Sequence, residues 1–209
     1  MSRFVCFAIS AALGLCVSMP GATILNENFD ALTPQLAVTS AGAFSTINGT
    51  NVDIVGGGLF GSLCAAPESG NCVDLDGSNG SSQGVLQTKV PITLTPGTNY
   101  FLSFDLIGSG RGVTTSSTVT FGPYSHTFDL ASNDVTSGII TNQLVTVSTP
   151  TTANLTFASN TPGNIGALLD NVLITTSPVT SGVPEPGTIV LLASALLSLG
   201  LVRRVTAPR

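Results

Sequence analysis

The sequence predicts an all-β protein: an antiparallel β-sandwich, a jelly roll of about ten strands, with an N-terminal signal helix and a short C-terminal transmembrane helix attached. Three observations carry that expectation. Between residues 23 and 176, short runs rich in Val, Ile, Thr, Phe and Tyr recur at roughly ten-residue intervals, separated by Gly, Pro, Asn and Ser clusters. Several runs alternate with period two; within 100–106, Tyr100, Leu102, Phe104 and Leu106 share one face. Before the tail, no segment shows the 3.6-residue apolar period of an amphipathic helix.

Residues 1–22 read as a secretory signal peptide, which implies the Sec export machinery as a partner. Arg3 supplies the positive start, 4–17 is almost continuously apolar, and Gly21 and Ala22 mark the expected cleavage point. Lipidation at Cys16 is the disfavoured alternative, because Leu15 is bulkier than the small residue that should precede a lipidated cysteine. An uncleaved anchor is a second alternative. Residues 23–176 form the ectodomain, with strands expected at 23–29, 52–55, 72–75, 85–89, 99–107, 118–122, 125–130, 143–148, 153–158 and 167–176. Gly122-Pro123 reads as a tight turn between two of them, and 177–182 as a linker.

Charge excludes one class of partner. Of the six basic residues, Arg3 lies in the signal and Arg203, Arg204 and Arg209 lie in the tail. Between residues 23 and 182, only Lys89 and Arg111 face ten acids, a net charge of −8 against −5 for the whole chain. So few cations cannot neutralise phosphates, and no nucleic acid partner is expected. Divalent cations suit sparse carboxylates among Asn, Ser and backbone carbonyls better.

Cys6 and Cys16 leave with the signal, so the mature chain holds Cys64 and Cys72, joined by the turn-rich segment 65–71. In an oxidising compartment this spacing predicts a local disulfide contributing roughly 2–3 kcal/mol. Without His partners or C-x-x-C spacing, a metal or redox site is the weaker reading.

Enzyme motifs are sparse. Gly80-Ser81-Ser82-Gln83-Gly84 matches the G-x-S-x-G expression, with Asp105 and His126 downstream. That chemistry needs a strand-to-helix elbow, whereas a strand is expected after this loop. No pair of acids stands out for glycoside hydrolysis, and the chain is not expected to be an enzyme. Asp74-Leu75-Asp76-Gly77-Ser78 begins like an EF-hand loop, but Val85 holds the position where a bidentate Glu belongs. An ordinary strand-to-loop junction is the better reading.

Residues 183–209 carry Val183-Pro184-Glu185-Pro186-Gly187, an apolar run over 189–202, and then Arg203-Arg204. The 14-residue run is shorter than an ordinary span of roughly 20, which suits a temporary handle. Motif, spacing and terminal position resemble the PEP-CTERM sorting signal. The resemblance implies export in exopolysaccharide-producing Gram-negative bacteria, with Pro184, Glu185 and Pro186 recognised by a membrane-embedded exosortase. Arg203 and Arg204 then act as the cytoplasmic stop, in line with the positive-inside rule. The implied location is the inner membrane, at least transiently, followed by the cell surface or medium.

The ectodomain carries a second resemblance. Asn26-Glu27-Asn28-Phe29-Asp30 and Gly166-Ala167-Leu168-Leu169-Asp170-Asn171-Val172 are similar to the first and last strands of galactose-binding-like jelly rolls. The segments 72–78 and 102–106 resemble ectodomains that accompany this sorting signal. For carbohydrate-binding modules of that fold, the resemblance implies a structural calcium shared by Asp30 and Asp170. It also implies glycan, possible exopolysaccharide, as ligand. Against that stands an expected shortage of stacking aromatics: there is no Trp, and most Phe residues fall at core positions of strands. The competing reading is a non-binding structural component of the exopolysaccharide matrix, or a permanently membrane-anchored surface protein.

Overall fold

The alternation read at 100–106 is realised as a central strand whose every second side chain enters the core. In the computed structural model, residues 21–64, 70–79 and 83–176 are described; all of the expected signal peptide but Gly21 and Ala22, and the expected linker and sorting tail, lie outside them. Within them the chain is all-β. Fifteen strands occur in order: β1 Thr23–Glu27, β2 Gln35–Val38, β3 Ser40–Ala41, β4 Phe44–Thr46, β5 Val52–Val55, β6 Cys72–Asp74, β7 Val85–Thr88, β8 Ile92–Leu94, β9 Tyr100–Ile107, β10 Thr115–Phe121, β11 Tyr124–Leu130, β12 Ile139–Val145, β13 Thr151–Ala153, β14 Leu155–Ser159 and β15 Leu168–Thr175. A short 3-10 turn, Gly61–Cys64, lies between β5 and β6. Among the described residues, no helix is long and apolar enough to cross a membrane.

All pairings are antiparallel. The larger sheet runs β12-β9-β15-β6-β5-β2, with β1 also on β15; the second runs β11-β10-β14-β7-β4-β3; β8 and β13 form a ribbon. The inner faces of both sheets meet in one core, which makes the molecule a β-sandwich. Phe104 from β9 meets Phe157 of β14 at 5.3 Å and Phe128 of β11 at 5.8 Å. Phe157 meets Phe44, and Phe44 meets Phe29, each at 6.0 Å. This tilted and edge-on ring chain couples the two sheets by aromatic packing.

Each expected strand is present, but about ten was too few. β2, β3, β4, β8 and β13, each of four residues or fewer, were not anticipated. The expected strand at 143–148 instead begins at Ile139 and ends at Val145.

Three carboxylates hold the fold from inside. Glu27 at the end of β1 accepts the Phe29 amide at 3.1 Å and the Ala43 amide at 2.7 Å, tying the larger sheet to the β3–β4 turn. Phe29 takes a left-handed φ of 56° there, which turns its ring into the core. Buried Asp53 accepts the amides of Ala37 at 2.7 Å and Ser78 at 2.9 Å, and the Ser78 hydroxyl as well. Buried Asp76 accepts the Gly84 amide and the Ser159 hydroxyl, both at 2.9 Å. Burial pushes the Asp76 carboxyl above its ordinary range against those hydrogen bonds.

Candidate functional site

The most site-like surface is the outer face of the larger sheet, which alternation on β9 builds directly. Tyr100, Leu102, Phe104 and Leu106 are buried inward, so Phe101, Ser103, Asp105 and Ile107 face out. Cross-strand register then sets three rows. Phe101 lies between Leu144 of β12 and Thr175 of β15; Ser103 lies beside Leu173; Asp105 lies between Ile139 and Asp170. Phe101 and Leu173 are half-buried and Leu144 is 49 % exposed. The lower rows therefore offer apolar surface, and the upper row offers polar groups.

Two bulges shape the polar end. The register shifts on β12 between Ile140 and Gln143, and on β15 between Asp170 and Leu173. Each shift carries an asparagine in the left-handed region, Asn142 with φ 51° and Asn171 with φ 49°. Such bulges re-aim side chains. The Asn171 side-chain amide donates to Asp105 Oδ2 at 3.0 Å, and the Asn142 backbone amide donates to Ser103 Oγ at 2.9 Å.

A wall closes the upper end of this face. Val55, Leu63, Cys64, Cys72, Ile107 and Leu168 pack into a small cluster of their own outside the main core. The Cys64–Cys72 disulfide is formed, clamping the 3-10 turn to β6. The same segment carries Phe60, 49 % exposed and left-handed at φ 55°, a strained conformation for a bulky residue. Beside it the β9–β10 loop sends Arg111 onto buried Asp74, the single salt bridge among the described residues. Asp74 also accepts the amides of Asp76 at 3.0 Å and Gly166 at 2.8 Å. A Cβ at Gly166 would collide with the Asp74 carboxylate and the Asp76 amide, so glycine is required for that approach. Burial pushes the Asp74 carboxyl up to about 6; Arg111 and the two amides pull the other way.

The EF-hand-like segment is thus an internal capping device: Asp74 and Asp76 point inward and take N–H donors. The expected calcium pair is placed as follows. Asp30 is exposed; its Oδ2 accepts the Asn28 side-chain amide at 2.9 Å and its Oδ1 accepts the Asn71 backbone amide at 3.0 Å. Asp170 is buried in β15, where its Oδ1 accepts the Asn171 amide at 2.7 Å. These oxygens face N–H groups, a poor setting for a hard cation, which prefers a shell of oxygens. Among the described residues, no group of three or more His, Cys, Asp or Glu is placed to hold a metal.

Of the hydrolase-like set, Ser82 lies outside the described residues, Asp105 is on the larger sheet, and His126 is exposed on β11 of the second sheet. His126 packs its ring 4.5 Å from Phe128. The sorting residues Pro184, Glu185, Pro186, Arg203 and Arg204 lie outside the described residues. Phe29, Phe44, Phe104, Phe121, Phe128 and Phe157 are buried, as expected of core phenylalanines, and Phe101 is a half-buried aromatic on the outer face, legible in the sequence as the odd member of an alternating strand.

No protein-family model matches the chain, and no curated protein does. Among solved structures, the chain is similar to the CBM22-1–GH10 modules of Clostridium thermocellum xylanase 10B complexed with xylohexaose, at 12 % identity and TM-score 0.37. That match covers 78 % of this chain and 30 % of the xylanase chain. It is also similar to the K1 and K3 cleaved adhesin domains of Porphyromonas gingivalis Lys-gingipain. Their identities are 14 % and 18 %, each with TM-score 0.41 and 74 % of this chain covered, against 98 % and 99 % of theirs. The architecture assigned above rests on strand pairing and core contacts, not on these likenesses.

Proposed function

We propose that this chain is an exported cell-envelope or matrix protein, delivered by a PEP-CTERM tail, whose jelly-roll ectodomain binds glycan on the outer face of its larger sheet. The observation that carries the binding reading is Phe101, half-buried and flanked by Leu144 and Thr175, on the same strand face as Ser103 and Asp105. A sugar presents both an apolar ring face and hydroxyls, and binding sites pair apolar surface with a few fixed polar groups. Asp105, Asn171 and Ser103 supply those groups here. A surface poor in cations suits a neutral glycan better than an anionic one.

Affinity electrophoresis through gels containing the producer's own exopolysaccharide tests the ligand. Wild type is retarded and Phe101→Ala is retarded less; identical wild-type mobility with and without polysaccharide sinks the binding reading and leaves the non-binding matrix component. Export and sorting are supported by the signal-like start, the tail motif and a disulfide that belongs to an oxidising compartment. Glu185→Gln should leave uncleaved protein in the inner membrane, whereas unchanged release into the medium would remove the exosortase from the account.

A further inference from the structure

A groove of about 390 Å³ runs along one edge of the sandwich, lined by Ile24, Leu25, Val90, Pro91 and Ile92, with Lys89 among them. Val90 is 74 % exposed, the most exposed large hydrophobic side chain among the described residues, and Ile24 is 38 % exposed. Contiguous apolar exposure of this kind marks a surface that meets something.

The first and last strands of the sandwich pair beside the groove, with Thr23 of β1 opposite Thr175 of β15. Ile24 follows Thr23 and lines the groove, so the sandwich ends next to it. Residues 177–188 separate Thr176 from the apolar run; fully extended they reach at most about 40 Å. Charge agrees. The exported part has two cations; Arg111 is held by Asp74, whereas Lys89 is exposed and its Nζ donates to the Gly42 carbonyl at 2.7 Å. The groove therefore carries the solvent-facing positive charge of an otherwise acidic domain, next to its most exposed apolar side chain. A lysine beside apolar side chains is suited to an anionic lipid interface, with its stem among the chains and its ammonium at the headgroups.

We infer that this groove is a bilayer-contact surface: while the tail is inserted, Ile24, Val90 and Pro91 rest in the lipid interface and Lys89 meets an anionic headgroup. The inference rests on the reading of the tail as a membrane segment. It predicts that cleavage of the tail frees the groove from the bilayer.

The chain has no Trp, so Val90→Trp creates a single fluorophore at the groove and Val135→Trp, 38 % exposed in the wild type, a control between β11 and β12. Each full-length variant is reconstituted with phosphatidylethanolamine–phosphatidylglycerol vesicles whose acyl chains are brominated. The expected result is blue-shifted, quenched emission from position 90 and red, unquenched emission from position 135. If the protein floats with the vesicles but both positions respond alike, the groove is not the contact surface and the tail reading stands. Failure to float removes the tail reading and the inference together. A blue shift at position 90 without quenching puts a protein segment or a second copy in the groove, which also overturns the inference.

Discussion

Asn142 and Asn171 occupy matching positions on the two strands that flank β9: each lies at a register shift, and each holds a left-handed φ, 51° and 49°. Asparagine tolerates that region better than most residues with a Cβ. The pair brackets Ser103 and Asp105, and one amide of each asparagine is spent on them.

This arrangement separates backbone from side-chain roles at position 171. Asn171→Gly keeps the bulge and leaves the chemical midpoint within a few tenths of a kcal/mol, yet loses the amide that orients Asp105. Asn171→Ala should cost about 1 kcal/mol as well, from the left-handed strain. Urea melts of both variants, paired with affinity electrophoresis, check the split: glycan retention falls in both, stability in one.

Phe101 is a test of stacking. Phe101→Ala should weaken glycan retention about tenfold, equivalent to about 1.4 kcal/mol, with a small loss of stability because the ring is half-buried outside the core. Retention equal to wild type would move the binding surface elsewhere, with exposed Phe60 the next position to substitute.

Stability should rise on mild acidification. Asp74 has a folded pKa of about 6 against 3.8 for the ordinary carboxyl, because burial disfavours its charge. The folded state therefore holds this proton more tightly, so the stabilisation is complete below about pH 4 and is lost as pH rises through 6. Asp76 is shifted the same way. The opposite case is Asp134, held at about 2 by hydrogen bonds from Ser137 and Thr136; its contribution is lost only as pH falls toward 2. Thermal melts should thus peak near pH 4, with a gain on the order of 3 kcal/mol over pH 7 from Asp74. Asp74→Asn should flatten most of that slope.

Arg111 should matter at neutral pH and less in acid. Arg111→Met leaves an ionised carboxylate buried without its cation, a loss of about 3 kcal/mol at pH 7, toward the lower end for buried pairs because the arginine is 25 % exposed. At pH 4 the carboxyl is neutral and the loss should shrink by more than half. Equal losses at both values would mean the arginine acts through packing.

Calcium should have little influence on melting. A cation at Asp30 has to displace the Asn28 and Asn71 donors. Melts in calcium and in chelator are expected to coincide; a calcium-dependent rise abolished by Asp170→Asn would restore the shared site.

How far these features were legible depended on their range. Val52–Val55 was legible to the residue because three β-branched apolar residues, Val52, Ile54 and Val55, sit between turn signals. The inward face of β9 followed from alternation. The outward face, with Phe101 on it, was equally legible from the same alternation. By contrast, no local pattern announces the αL conformations of Asn142 and Asn171, since the bulge exists only relative to neighbouring strands. Asp74 reads as a loop carboxylate until Arg111 and Gly166, distant in sequence, arrive around it.

By itself the sequence determined the all-β class, the inward face of each longer strand, the cysteine pair, and a tail whose order of motif, apolar run and arginines is written in consecutive residues. These are local properties, set by periodicity and by neighbours along the chain. Tertiary structure alone decided strand order, the rows across β9, the burial of four aspartates and the pairing of Thr23 with Thr175 beside an apolar groove. Each depends on contacts between residues far apart in the chain, whose partners are chosen by packing and register rather than by any neighbour in sequence.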